Sequence, residues 1–145
     1  MRSVLGHLLS VMVVDIDLFK AVNDGWGHLA GDRVICAVAQ TCLARTRQGV
    51  DTVARYGGEE FVLVLPETDT HDALHLAESL RQAVAARQVL VGDEGVTVCV
   101  TVSIGVATLH QGSDLSFEDL VKQADKALYQ AKATGRNNVQ CCAGG

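Results

Sequence analysis

Proline occurs once in the 145 residues, and aromatic side chains make up only 4%. With 48% hydrophobic residues, that composition excludes a Pro-rich linker, a fibrous chain or a disordered segment, and leaves one compact globular domain. No apolar run is long and uninterrupted enough for a membrane span. The N-terminus lacks the basic start and small-residue cleavage site of a secretory signal. Lysine and arginine form no run, and the net charge is −5, which excludes a general nucleic-acid binder that must neutralise many phosphates. A small polyanion remains admissible if a metal and a few lysines offset its charge locally. No C-x-x-C is present; the five cysteines, Cys36, Cys42, Cys99, Cys141 and Cys142, are odd in number. They read as reduced, mostly buried thiols of a cytoplasmic protein rather than as disulfide or zinc ligands. No G-x-G-x-x-G follows the first apolar run, so a Rossmann fold is excluded.

What the chain does have is a sequence of short periodic segments. Residues 1–10 carry no clear pattern and read as a linker; residues 11–141 read as the domain, and 142–145 as a tail. The continuous apolar run 11–16 predicts a central strand buried on both faces, ending in Asp15-Ile16-Asp17, with both acids on one side of it. Residues 19–26 are expected to turn through the breaker cluster Asn23-Asp24-Gly25. A helix follows from Leu29 to about Arg47, with Gly49 as its C-cap. Segments 50–56 and 61–65 predict a β-hairpin whose tip is Gly57-Gly58-Glu59-Glu60, the paired glycines supplying positive φ. Asp69 or Thr70 caps a helix with apolar positions Leu74, Ala77, Leu80 and Val84. A short strand at 89–91 and a long one at 97–108 come next, with Gly105 marking a bulge or a close backbone approach. Ser116 with Asp119 forms a capping box for a helix striped by Leu120, Ala124, Leu128 and Ala131, and residues 138–141 add a last strand. This mixture of crossovers and hairpins predicts an α/β (α+β) fold, a mixed, mainly antiparallel sheet flanked by helices, of the ferredoxin-like kind.

The chemistry follows from the acids. If the first strand and the hairpin are neighbours in one sheet, Asp15 converges with Glu59 and Glu60, and such carboxylates repel unless a cation lies between them. All-oxygen ligands without His or Cys favour Mg²⁺ or Mn²⁺, typically bridging carboxylates to substrate phosphates. Metal-assisted phosphoryl or nucleotidyl transfer is the natural reaction class. Lys20 lies just beyond the acids, where it could meet phosphate; Asn23 and Asp32 together could read the carbonyl and amino edge of guanine. Lys132 and Arg136 close the last helix, where complementing its dipole would explain them equally well, and His28 could be an ordinary loop histidine.

Asp15-Ile16-Asp17-Leu18-Phe19-Lys20, Asn23-Asp24, Gly27-His28-Leu29-Ala30-Gly31-Asp32, Arg55-Tyr56-Gly57-Gly58-Glu59-Glu60-Phe61, Val102-Ser103-Ile104-Gly105, Ala124-Asp125, Ala131-Lys132 and Gly135-Arg136-Asn137 follow one another in a familiar order. Together they resemble the GGDEF domain of bacterial diguanylate cyclases, in a Gly-Gly-Glu-Glu-Phe variant, from about Ser10 to Val139. The resemblance implies a nucleotidyl-cyclase, palm-like fold and condensation of two GTP into cyclic di-GMP with release of pyrophosphate. Two copies of the domain would meet face to face in a transient homodimer, each holding one GTP. By that likeness Asp15, Glu59 and the Ile16 carbonyl ligate Mg²⁺ (or Mn²⁺), Glu60 supports them, and Glu59 helps deprotonate the attacking hydroxyl. Asn23 and Asp32 read guanine with His28 nearby, and Lys20, Lys132 and Arg136 hold phosphates. Strand alternation separates Glu59 from Glu60, which favours Glu59 as the principal metal ligand.

The chain departs from the family pattern in three places. Gln48 stands where the family's product-binding Arg-x-x-Asp motif has its arginine, with Arg47 one residue early, so inhibition through that motif is not expected. Nothing in residues 1–10 matches the family's Asp-x-Leu-Thr-x-Leu-x-Asn-Arg segment, and truncation there is expected, with regulatory domains in a longer parent chain. Trp26 replaces the commoner Tyr or Phe. The alternative function is a non-catalytic module of the same fold that binds GTP or cyclic di-GMP.

Overall fold

The computed structural model describes residues 8–92, 94–110 and 112–142. Its centre is β1 (Leu9–Ile16), every residue of which is buried. That burial on two faces is what an uninterrupted apolar run demands. Antiparallel partners flank it: β3 (Glu60–Pro66) on one side and β6 (Val102–Leu109) on the other. Outside β3 lies β2 (Thr52–Arg55), and outside β6 lies β7 (Val139–Cys141), the one parallel pairing in a sheet ordered β2-β3-β1-β6-β7. The strand begins at Leu9, two residues earlier than expected, because Ser10 is also buried, hydrogen-bonded to the Thr68 carbonyl and the Thr108 hydroxyl at 2.7 and 2.8 Å.

Alternation along β1 divides the core. Met12, Val14 and Ile16 face α2 (His28–Arg45) and α3 (Thr70–Ala86), while Leu9, Val11 and Val13 face α4 (Phe117–Ala133). Each of these fully buried side chains stabilises the fold by about 1.5–3 kcal/mol relative to exposure. The helix starts conform to the sequence: Asp69 caps α3 by accepting from the Asp72 amide, and Ser116 caps α4 by accepting from the Asp119 amide. Gly105 is a close approach and not a bulge, since a Cβ there would fall on the Ala124 carbonyl oxygen and the Leu128 amide. The ferredoxin-like arrangement of β1, β2, β3 and β6 with covering helices is therefore as expected.

Several local expectations need correction. Residues 19–26 are not a turn but a helix, α1 (Phe19–Trp26), with Asn23-Asp24-Gly25 inside it. Phe19 and Val22, one helical turn apart, anchor it in the core, and the break comes instead at Gly27 with φ +94°. Helix α2 stops at Arg45 with Thr46 as its cap, not at Gly49. The expected long strand over 97–108 is two strands. Here β5 (Thr97–Val98) pairs with β4 (Val89–Leu90) as a separate ribbon, and the chain enters the main sheet only at Val102. The hairpin-tip glycines do not adopt positive φ; what they contribute is space, with nothing near a Cβ at Gly58. Of the cysteines, Cys42 is buried, but Cys36, Cys99 and Cys141 are exposed free thiols, because apolar neighbours in sequence do not fix which side of an element a residue faces. Burial pushes the Cys42 thiol up to about 12. No helix among the described residues is long and apolar enough to cross a membrane.

Candidate active site

The site forms where β1 leaves the sheet. Asp15 is 7% exposed and lies directly opposite Glu60 on β3 and Ser103 on β6. The β1–β3 register ends at this Asp15–Glu60 pair, and the Ile16 amide then donates to the Glu59 carbonyl at 3.2 Å. A backbone hydrogen bond thus fastens the hairpin tip to the end of β1. Arg55 braces it from below, donating to the carbonyls of Gly57 and Gly58 at 3.3 and 2.6 Å. Ile16 is fully buried, so its contribution to the site is limited to its main chain.

Helix α4 supplies the counter-charge. Lys132 Nζ lies 3.1 Å from Asp15 Oδ2. Burial pushes the Asp15 carboxyl above its ordinary value, and the charges of Asp17 and Asp125 push the same way; the Lys132 hydrogen bond and charge oppose them. Glu59 is raised by burial and then by Asp15, and Glu60 by burial and then by Asp125, Asp15 and Glu59, with Lys132 opposing in both. Both glutamates therefore feel Asp15, and Glu60 feels Asp125 and Glu59 as well, as expected where carboxylates share a site short of positive charge. Both glutamates feel Asp15 despite strand alternation, since Glu60 pairs with it and Glu59 sits in the turn just beyond.

Asp125 was not among the expected site residues. It lies seven residues before Lys132 on α4, two helical turns along the same face, a spacing that would have pointed to it. Asp17 also has a distinct place. It is 6% exposed and accepts from Thr101 Oγ1 and Ser103 Oγ, each at 2.6 Å, and from the Asn137 amide at 3.0 Å. Those donors satisfy it as a structural carboxylate.

The expected base-reading residues lie on the other side of β1, at the corner between α1 and α2. Asn23 on α1 packs its amide against Gly31 of α2, where a Cβ would fall on its Oδ1. Asp32 is the next residue of α2, exposed, and His28 opens the helix, also exposed. Lys20 is turned to Asp24 at 2.8 Å on the surface and is not joined to the acids. Arg136 follows α4 in an exposed turn with φ +63°. Near Gln48, Arg47 is held by Asp51 in a bidentate ion pair and also donates to the Pro66 carbonyl at 2.8 Å.

Among the described residues no three His, Cys, Asp or Glu side chains gather closely enough to cage an ion unaided. The donor set does fit a hard divalent cation of the Mg²⁺ type, which keeps much of its shell for water and substrate phosphate and takes only one or two carboxylates from protein. Asp15, Glu59 and Glu60 offer those oxygens.

Comparison with known proteins identifies the family. The family described as "Diguanylate cyclase, GGDEF domain" matches residues 2–138. Diguanylate cyclase DgcM of Escherichia coli is 48% identical over 130 residues, covering 90% of this chain and 30% of that protein. The chain spans about a third of the length of the curated relatives it matches. Among solved structures, the GGDEF domain of DgcB from Caulobacter crescentus, in complex with c-di-GMP, superposes with a TM-score of 0.87 at 35% identity, covering 94% of this chain and 79% of that one. The active GGEEF domain of a diguanylate cyclase from Vibrio cholerae gives 0.86 at 35% identity, covering 99% and 88%. With that family matching nearly the whole chain and relatives as similar as 48% identical, the chain belongs to the GGDEF domain family of diguanylate cyclases.

Proposed function

We propose that this chain is a diguanylate cyclase catalytic domain, which condenses two GTP into cyclic di-GMP. The observation that carries the reading is the meeting of Asp15 with Glu59 and Glu60 beside Lys132, in front of a hairpin tip left open by Gly57 and Gly58. Asp15, Glu59, Glu60 and the Ile16 carbonyl are the groups that would hold Mg²⁺. When bound, that ion supplies charge neutralisation at the phosphates and acidifies the attacking hydroxyl.

The remaining work falls to the protein. Asn23 and Asp32 read the guanine edge, with His28 alongside, and Gly31 gives the Asn23 amide its room. Lys132 and Arg136 place positive charge against the phosphates as the pyrophosphate leaves. Lys20 joins them by exchanging its surface partner Asp24, a pair of small worth at that exposure. Glu59 accepts the 3′-hydroxyl proton. A new 3′-oxygen–α-phosphorus bond forms as the bond from that phosphorus to the bridging oxygen of pyrophosphate breaks. The event occurs twice, because each of two apposed copies presents one GTP to the other. One copy alone holds half of the reactants, so juxtaposition by a two-fold axis supplies much of the rate.

The deciding measurement is incubation with GTP and Mg²⁺ over a range of protein concentrations, with nucleotides resolved by chromatography. Cyclic di-GMP and pyrophosphate should appear, with a specific rate that rises with protein concentration. Absence of the cyclic dinucleotide at every concentration would overturn the reading, and preferential turnover of ATP would overturn the base assignment.

A further inference from the structure

The chain after α4 runs through three successive positive φ values, Gly135 at +115°, Arg136 at +63° and Asn137 at +48°. Glycine adopts such a conformation freely and asparagine tolerates it, but arginine rarely does. A turn that holds arginine in this way persists only where its surroundings over-determine it. They do so here from three directions. The Arg136 amide and Asn138 Nδ2 both donate to the Ala131 carbonyl, at 3.0 and 2.8 Å. The Asn137 amide donates to Asp17 at the end of β1. Arg81 of α3 reaches across 56 positions of sequence to donate to Asn137 Oδ1 at 2.8 Å, while its other guanidinium nitrogens engage Glu78.

We propose that Arg81 is a positioning residue for nucleotide binding, holding through Asn137 the left-handed turn from which Arg136 projects beside the Lys132 end of α4. Arg81 lies on a helix that carries none of the site residues, so its effect on ligand passes entirely through that turn. Asp17 is the second anchor of the same turn, which gives this buried carboxylate a place in substrate binding without touching substrate. The proposal rests on the reading of Arg136 as a phosphate-binding group.

The test is binding of a GTP analogue with a methylene bridge between the α- and β-phosphates, measured by calorimetry in Mg²⁺, with guanosine as the ligand lacking phosphate. Arg81→Ala and Asn137→Gly, the latter keeping the positive φ but losing the acceptor, should weaken analogue binding by about three- to tenfold, the worth of one displaced hydrogen-bonded contact. Guanosine binding should not change. Asn137→Asp, which keeps an acceptor for Arg81, should restore affinity. In an Arg136→Asn background, chosen because asparagine tolerates positive φ, Arg81→Ala should have no further effect, since coupled residues fail to add. If Arg136→Asn weakens the analogue but Arg81→Ala and Asn137→Gly do not, the positioning role is wrong. Equal losses for guanosine and analogue would mean a general structural defect and would also overturn it. If Arg136→Asn itself leaves analogue binding unchanged, the phosphate reading fails and the proposal with it.

Discussion

At the scale of single residues, Asp15 stands opposite Glu60 where the β1–β3 register ends, with Glu59 in the turn just beyond. Asp15 ends an apolar run and Glu59 and Glu60 follow two glycines, so the sequence points to their convergence if the two segments are neighbours, and antiparallel pairing of β1 with β3 makes them so. The two glutamates differ in place, Glu59 in the turn and Glu60 in the strand, and burial and then nearby carboxylates, Asp15 among them, raise both. Charge and shape separate their roles experimentally. Glu59→Gln keeps the size and removes the charge and the proton acceptor, so turnover should fall by at least about a hundredfold, the usual worth of a positioned base. GTP affinity should stay within a few-fold. Single-turnover assays and calorimetry on the same variant check this, and near-normal turnover would move the base elsewhere. Gly31 makes a second prediction of this scale. A methyl there collides with Asn23 Oδ1, the end of a flexible side chain that can move aside, and also presses on the buried Phe19 ring at 3.1 Å. Gly31→Ala should therefore change the melting temperature little, the helical gain of about 1 kcal/mol being offset by the tight Phe19 contact. Its cost should be in selectivity, with the preference for GTP over ATP reduced by about tenfold or more as Asn23 loses its place. Thermal melts and paired binding titrations read the two effects separately.

At the scale of elements, the long helices α2, α3 and α4 and the strands β1 and β3 were legible because each has either a strong period or an uninterrupted apolar run. The failures have a common origin. Asn23-Asp24-Gly25 reads as a breaker from local preference, yet Phe19 and Val22 bury one face and pull the segment into α1. The β-branched stretch from Thr97 reads as one strand, yet its first part finds β4 as a partner and leaves the main sheet. Local propensity is a weak prior where tertiary contact decides. Gly105 shows the opposite case, in which a single residue reports a tertiary contact correctly. Its Cα hydrogen faces backbone atoms of α4, which cannot rotate away, unlike Asn23 at Gly31. Gly105→Ala should force α4 off β6 and destabilise the fold by about 1–3 kcal/mol or more, the range for overpacked cores. Denaturant unfolding should show a lowered midpoint, and an unchanged midpoint would mean that the α4–β6 contact is looser than drawn.

At the scale of the whole molecule, the charges that hold distant elements together were invisible in the sequence. Glu78 and Arg81 look like an ordinary helical pair three apart, but Arg81 also reaches Asn137, so the pair ties α3 to the turn beyond α4. The consequence appears in acid. Hydrogen bonds from Arg81 and then Gln82 hold the Glu78 carboxyl down to about 2 from an ordinary 4.5. A carboxyl depressed by folding takes up protons more readily in the unfolded chain, so its contribution is complete above the unfolded value of about 4.5 and disappears as pH falls toward 2. Glu78 is nearly half exposed, so solvent and salt screen the pair and the effect is small. The site acids act with the opposite sign, since burial and mutual repulsion raise them and protonation relieves the strain. A simple acid titration of the protein would therefore mix the two. Comparison with Glu78→Gln separates them, because the acid cluster is common to both proteins and cancels in the difference. Urea unfolding at low salt should give a wild-type advantage at neutral pH that begins to shrink near pH 4.5, approaches zero only at about pH 2 and is reduced by added salt. A difference that stays constant across that range would show that the pair contributes by packing rather than by charge, and that the tie between α3 and the Arg136 turn does not depend on the ionised state of Glu78.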